Sequence, residues 1–200
     1  MKKVIIRTAA MILLIALSLT TFVACSFLGK TMLVLEKDGT RVKMSVNVFQ
    51  FYLSRMKGME VASTSAAEND SYWDAWVSQD GTTRNQQYTN YILEEAKTYL
   101  AALYLFEKNG YRLPDATVDA IDAQIEHWIE VDANGSKAQF DAILAVYGAN
   151  RSILRETMLI EAKIRYLKDA LFGTDGSLIA DNLVDDYYTA NYRRFKQVFL

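Results

Sequence analysis

The sequence predicts a mainly helical domain fronted by one small β-hairpin. Three observations carry this. Proline occurs once and glycine nine times in 200 residues, too few turn formers for a many-stranded β fold. Long stretches repeat apolar residues at three- and four-residue spacing, the period of a helix with one buried face. Between those stretches stand Ser, Asn and Gly where helices start and stop.

The chain opens on a leader. Lys2, Lys3 and Arg7 are basic, residues 9–23 are uncharged and mostly apolar, and Ala24 is a small residue at a candidate cleavage point. That order is the secretory pattern. The apolar run is short for a spanning helix, which takes roughly 20 residues. Residues 1–24 read as a signal peptide, with a one-pass anchor as the alternative. Cys25 is the only cysteine. The run Phe22-Val23-Ala24-Cys25 resembles the lipobox of bacterial lipoproteins, although Phe22 stands where Leu is usual. The resemblance implies a diacylglyceryl group on Cys25, which becomes the new N-terminus, and a lipidated tether over residues 25–31. Two acyl chains anchor firmly where one binds marginally. An ordinary signal with an incidental cysteine is the other reading.

Residues 32–36 alternate as a strand does, Asp38-Gly39 is a strong hairpin turn, and residues 41–44 pair back. Ser45 caps a helix from Val46, whose apolar face is Val48, Phe49, Tyr52, Leu53 and Met56 and whose end falls near Gly58. Residues 60–70 are polar and read as a loop. Tyr72, Trp73 and Trp76 follow in one or two helical turns, and residues 79–83 break the chain again. A long helix spans about 84–109 with Tyr88, Tyr91, Ile92, Tyr99, Leu103 and Phe106 on its period, and Asn109-Gly110 stops it. Pro114-Asp115 opens the next, with Val118, Ile121, Ile125, Trp128 and Ile129 inward, and Asn134-Gly135 ends it. Ser136 and Gln139 have capping-box spacing before Phe140, Ile143, Leu144 and Tyr147. Asn150 caps a helix over 151–172 whose core side is Ile153, Leu154, Met158, Ile164, Leu167 and Leu171. A last helix, about 181–191, carries Leu183, Val184, Tyr187 and Tyr188. Residues 195–200 then read as a strand with no evident partner except the early hairpin.

Several function classes are set aside by composition. The formal net charge is −2, and losing Lys2, Lys3 and Arg7 with the leader makes the remainder more acidic. Such a chain has no general attraction for nucleic acid. One cysteine forbids an intramolecular disulfide and any cysteine-based metal site. His127 is the only histidine, it reads as a helix-surface imidazole, and no metal or cofactor is expected. No phosphate loop, Gly-x-Ser-x-Gly elbow or His-Glu-x-x-His occurs. Asp115, Asp119, Asp122, Glu126 and Glu130 form an acidic helical stripe. It reads as a solvated face, or as a contact surface for a basic neighbour.

The order of parts resembles the N-terminal region of extracytoplasmic parvulin-type foldases, the SurA and PrsA class of peptidyl-prolyl isomerases and chaperones. The matches are Val34 to Gly39 leading to Val48 to Leu53, Phe106 to Gly110 followed by Tyr111 to Asp115, Phe140 to Gly148 leading into Ile153 to Glu156, and Val184 to Tyr188 through Phe195 to Leu200. Lys196-Gln197 stands where that class commonly has Lys-His. The resemblance implies a mainly α, SurA N-terminal-like chaperone domain over residues 32–192. It also implies the start of a truncated parvulin-like domain over residues 193–200. The catalytic domain of an isomerase would lie beyond, so no catalytic residue is carried over and this region by itself shows no enzyme. The implied partners are unfolded exported polypeptides, and the membrane through lipid on Cys25, facing outside the cytoplasm. With 12 Tyr, 9 Phe, 3 Trp and 7 Met the chain has many side chains suited to adaptable apolar contact. Tyr72, Trp73 and Trp76 are the first candidates for client binding, and Tyr187, Tyr188 and Tyr192 the second. A lipid-anchored helical binding or scaffold protein without a folding role is the alternative.

Overall fold

A computed structural model describes residues 30–64 and 69–192. The leader, Cys25 and the strand expected near residue 195 lie outside the described residues. Within them run β1 (Thr31–Lys37), β2 (Thr40–Ser45), α1 (Val46–Thr64), α2 (Asp70–Asp74), α3 (Arg84–Lys108), α4 (Asp115–Ala133), α5 (Lys137–Ala145), α6 (Arg151–Phe172) and α7 (Asp181–Asn191). The fold is mainly helical with one small antiparallel sheet, as expected.

The hairpin follows from its turn. Asp38 and Gly39 both have positive φ, 50° and 76°, the combination a tight two-residue turn needs to match strand twist. Lys37 faces Thr40 across it. Val42 and Met44 alternate inward and are buried. The Asp38 carboxylate accepts from the Tyr104 hydroxyl and from Lys108 Nζ, both at 3.1 Å. The hairpin tip is thereby fastened to the end of α3.

Ser45 caps α1, its Oγ accepting from Val48 N at 3.2 Å. The helix does not end near Gly58; it continues to Thr64. A glycine inside a helix costs about 1 kcal/mol relative to alanine, which tertiary packing can offset. It ends a helix when it turns left-handed, and Gly58 is not among the positive-φ glycines. Residues 60–64 of the stretch read as a loop are instead the end of α1.

Helix α3 is the central element, packed against the hairpin, α1, α2 and α6. A complete capping box starts it: Thr83 Oγ1 accepts from Gln86 N at 3.2 Å and Gln86 Oε1 accepts from Thr83 N at 2.9 Å. Ile92, Ala96, Leu100, Leu103, Tyr104 and Phe106 are buried. Tyr91, expected inward, is exposed, because the inner stripe runs one residue later through Ile92 and Ala96. Helix α4 ends on left-handed Asn134, and Ser136 caps α5. Asn150 Oδ1 caps α6 through Ile153 N at 3.0 Å. Ile153, Thr157, Ile160 and Leu167 of α6 are buried, whereas Leu171 is exposed. Thr157 fits a dry position because its hydroxyl donates to the Ile153 carbonyl at 2.9 Å. Helix α7 has no buried residue and packs on no other element among the described residues.

Candidate functional site

The first aromatic group divides in two. Asn69 caps the five-residue α2, its side chain accepting from Tyr72 N at 2.9 Å. This turns Trp73 into the groove between α1 and α3. Trp73 is 8% exposed. Tyr72 and Tyr88 meet its ring edge-on at 5.0 and 5.7 Å between centroids, and Lys57 Nζ lies 4.7 Å from it. Trp73, expected to offer client contact, is instead a buried anchor.

Tyr72 is half-buried and committed as well. Its hydroxyl donates to Glu60 Oε1 at 2.8 Å. Arg84 stacks over its ring at 4.0 Å and donates from Nη1 to its carbonyl at 3.1 Å. The Tyr88 and Tyr72 hydroxyls hold the Glu60 carboxyl below its ordinary range. In return Glu60 pushes the Tyr88 hydroxyl up to about 12. These groups form a clasp joining α1, α2 and α3.

Trp76 lies past the end of α2 and is 76% exposed. Its backbone pairs with Thr83 in an isolated antiparallel bridge. Val77 N donates to the Thr82 carbonyl and Arg84 N to the Ala75 carbonyl, both at 2.9 Å. Asp80 closes the intervening turn, accepting from Thr82 N at 3.0 Å, from Thr82 Oγ1 at 2.7 Å and from the Ser78 hydroxyl. Those bonds, Ser78 first and Thr82 next, hold the Asp80 carboxyl down to about 2. An indole on a short, well-bonded loop is displayed to solvent at little entropic cost.

The second group lies on and after α7. Tyr187 is 58% and Tyr188 60% exposed. With Leu183 and Val184, also exposed, they fall at intervals of three and four and share one helical side. Tyr192 leans on both tyrosines, at 6.0 and 5.1 Å between ring centroids. No ring contact links this group to the first among the described residues. The six proposed client-contact residues therefore separate into Trp76, Tyr187, Tyr188 and Tyr192, which are open, and Tyr72 and Trp73, which are engaged.

The acidic stripe of α4 has a partly internal use. Asp122 takes Arg155 of α6 in a forked pair, with Nη2 to Oδ2 at 2.9 Å. Glu126 pairs with Lys137 of α5 at 2.9 Å. Half-buried Asp141 accepts from Arg151 N at 2.8 Å and from its guanidinium, which holds its carboxyl below the ordinary range. His127 is exposed. No group of three or more His, Cys, Asp or Glu is placed to hold a metal ion among the described residues. No helix among them is long and apolar enough to cross a membrane.

One arrangement escaped the sequence reading. Tyr52 and Arg55 of α1, Glu95 and Tyr99 of α3 and Glu161 of α6 line a small, partly open cavity. Arg55 and Glu161 are 106 positions apart, and no local spacing pairs them. Comparison of the chain with protein-family models, with curated proteins and with solved structures gives no match.

Proposed function

We propose that the helical domain holds unfolded exported polypeptides outside the cytoplasm without ATP, tethered to a membrane by lipid on Cys25. In this reading it is the client-holding region of a foldase of the SurA and PrsA class. The observation that carries it is α7: an amphipathic helix whose apolar side, uncovered among the described residues, bears Leu183, Val184, Tyr187 and Tyr188. Contiguous exposed apolar surface marks interaction sites. Tyrosines provide contact area at low conformational cost while their hydroxyls keep the surface wet. Trp76 on its bonded loop is a second, separate contact point.

The test is suppression of aggregation of a chemically unfolded protein by the mature chain, residue 25 onward, carrying Cys25→Ser. Slowed aggregation is expected without ATP, and no acceleration of prolyl isomerisation by this chain. Replacing Trp76, Tyr187 and Tyr188 by Ser should remove most of the holding and leave the melting temperature in place. Unchanged holding by that triple variant would sink the assignment. Tight capture of one folded partner, with no effect on unfolded proteins, would favour the scaffold reading. For the tether, intact-mass measurement of the membrane-bound form should find Cys25 at the N-terminus with a lipid mass, and Cys25→Ser should leave the membrane fraction.

A further inference from the structure

The hairpin has two unlike faces. Val42 and Met44 are buried and Leu33 and Leu35 half-buried, so the residues alternating with them stand on the other face. That face sets Val34 across from Lys43 and Glu36 across from Arg41. Val34 is 45% exposed, and Met32, at the irregularity in the register, is 40% exposed. Arg41 and Lys43 are exposed and loosely engaged. Arg41 Nε lies 3.5 Å from Glu36, and Lys43 acts through space on Glu156 of α6. Exposed pairs of this kind contribute little, so both cations are open to a further anion.

Charge and position set this face apart. Residues 30–45 carry four basic side chains and two acidic ones, in a chain whose formal net charge is −2. The hairpin also adjoins the tether. Six peptide steps separate Cys25 from Thr31, a reach of about 20 Å at full extension. Helix α3, against which the hairpin packs, has 25 residues and so runs about 37 Å. A lipid on Cys25 therefore holds the hairpin closer to the membrane than the domain is long. The exposed apolar side of α7 is differently charged. That helix has Asp181, Asp185 and Asp186 among its eleven residues and no basic one, so an anionic surface that attracts the hairpin repels α7.

We propose that this face of the hairpin rests on the headgroups of the membrane that anchors the chain, and that it favours anionic lipid. Arg41 and Lys43 meet the headgroup phosphates. Met32 and Val34 reach the boundary with the acyl chains, as the apolar side of a surface-bound segment does. The proposal rests on the reading of Cys25 as lipidated and is independent of client holding.

For the test, the mature chain, residue 25 onward, is coupled through Cys25, its only cysteine, to a maleimide-bearing lipid in phosphatidylcholine nanodiscs. A second set contains about one-third phosphatidylglycerol, so that anionic charge is the only difference. A gadolinium chelate on a few headgroups broadens nearby amide resonances. This chemical anchor makes the outcome independent of native lipidation, which the intact mass of the membrane-bound form decides separately. A tether alone brings the hairpin near both surfaces equally, and contact adds a dependence on charge. Broadening at residues 32–36 and 41–43 should rise with phosphatidylglycerol, while α4 and α5, which pack on neither strand, change little. Each basic residue near an anionic surface is worth about five-fold in occupancy. Arg41→Gln with Lys43→Gln should therefore remove most of the rise and keep the melting temperature. High salt should remove it from the unaltered chain. If the double variant melts lower, the lipid and salt comparisons on the unaltered chain still decide. Equal broadening in the two lipids, broadening spread evenly over the domain, or broadening centred on α7 overturns the proposal.

Discussion

Helix α6 buries Ile153, Thr157, Ile160 and Leu167 against α1, α3, α4 and α5, while α7 buries none of its eleven residues. Both are amphipathic. The N-cap of α6 is Asn150, whose side chain takes the Ile153 amide; that of α7 is Ala180, which supplies no side-chain bond. Helix α6 is further tied down by Arg155 to Asp122 and Arg151 to Asp141. An apolar stripe therefore states only that a helix wants a partner. In α6 the partner is the rest of the domain, and in α7 no element among the described residues covers the stripe. A lone helix of eleven residues is marginal in water, so whatever covers that stripe would also stabilise the helix.

The contrast is easiest to break with paired truncations. Ile160→Ala should cost about 2–5 kcal/mol, the range for an aliphatic truncated in a core, whereas Leu183→Ala should stay within about 0.5 kcal/mol, as exposed substitutions do. Chemical denaturation of the two variants checks both. A large loss from Leu183→Ala would show that α7 is packed after all. Trp73→Ala and Trp76→Ala make the same comparison across the end of α2. The first should cost about 3–5 kcal/mol and the second almost nothing, with client holding weakened, not abolished, in the second.

Caps give a smaller and signed effect. Asn150→Ala should destabilise by about 1 kcal/mol. Ala180→Asp supplies the cap that α7 lacks and should raise its helicity, read from α7 chemical shifts, with little change in global melting. Amides of α7 should exchange near the rate of a free helix while those around Ile160 exchange only on global unfolding.

Acid is the mildest probe. The Arg151 guanidinium holds the Asp141 carboxyl below the ordinary carboxylate range. A depressed carboxyl adds stability that is present above the unfolded pKa and lost as pH falls through the folded one. Melting temperature should therefore decline below about pH 4, and Asp141→Asn should flatten part of that decline. Asp80 gives a residue-level check. A carboxyl titration by NMR should find its midpoint at about 2, with the loop that displays Trp76 keeping its amide shifts down to that pH.

Most of the fold was legible because its signals are local. Asp38-Gly39, Ser45, Ser136 and Asn150 all act within four residues of themselves, and the hairpin turn and the starts of α1, α5 and α6 follow from them. Gly58 was misread because a glycine's role depends on its backbone angle and on what packs nearby. Tyr91 and Leu171 were placed inward because apolar identity was taken for burial. Trp73 and Trp76, three residues apart, received one reading and have opposite fates, which are decided by the groove beside α2. The cavity was illegible for a stronger reason: its polar walls come from three helices, and none carries a motif.

Asp38 is 66 residues from Tyr104 and 70 from Lys108. A ribosome releases the hairpin long before it releases the end of α3. Two strands alone are marginal in water, so Val42 and Met44 must wait exposed while some sixty residues are added, and non-local closure of this kind slows folding. The first part of the domain to be made is thus among the last to be finished. A chain that emerges vectorially in this way is, for that interval, itself in need of the kind of shelter its own surface is proposed to give.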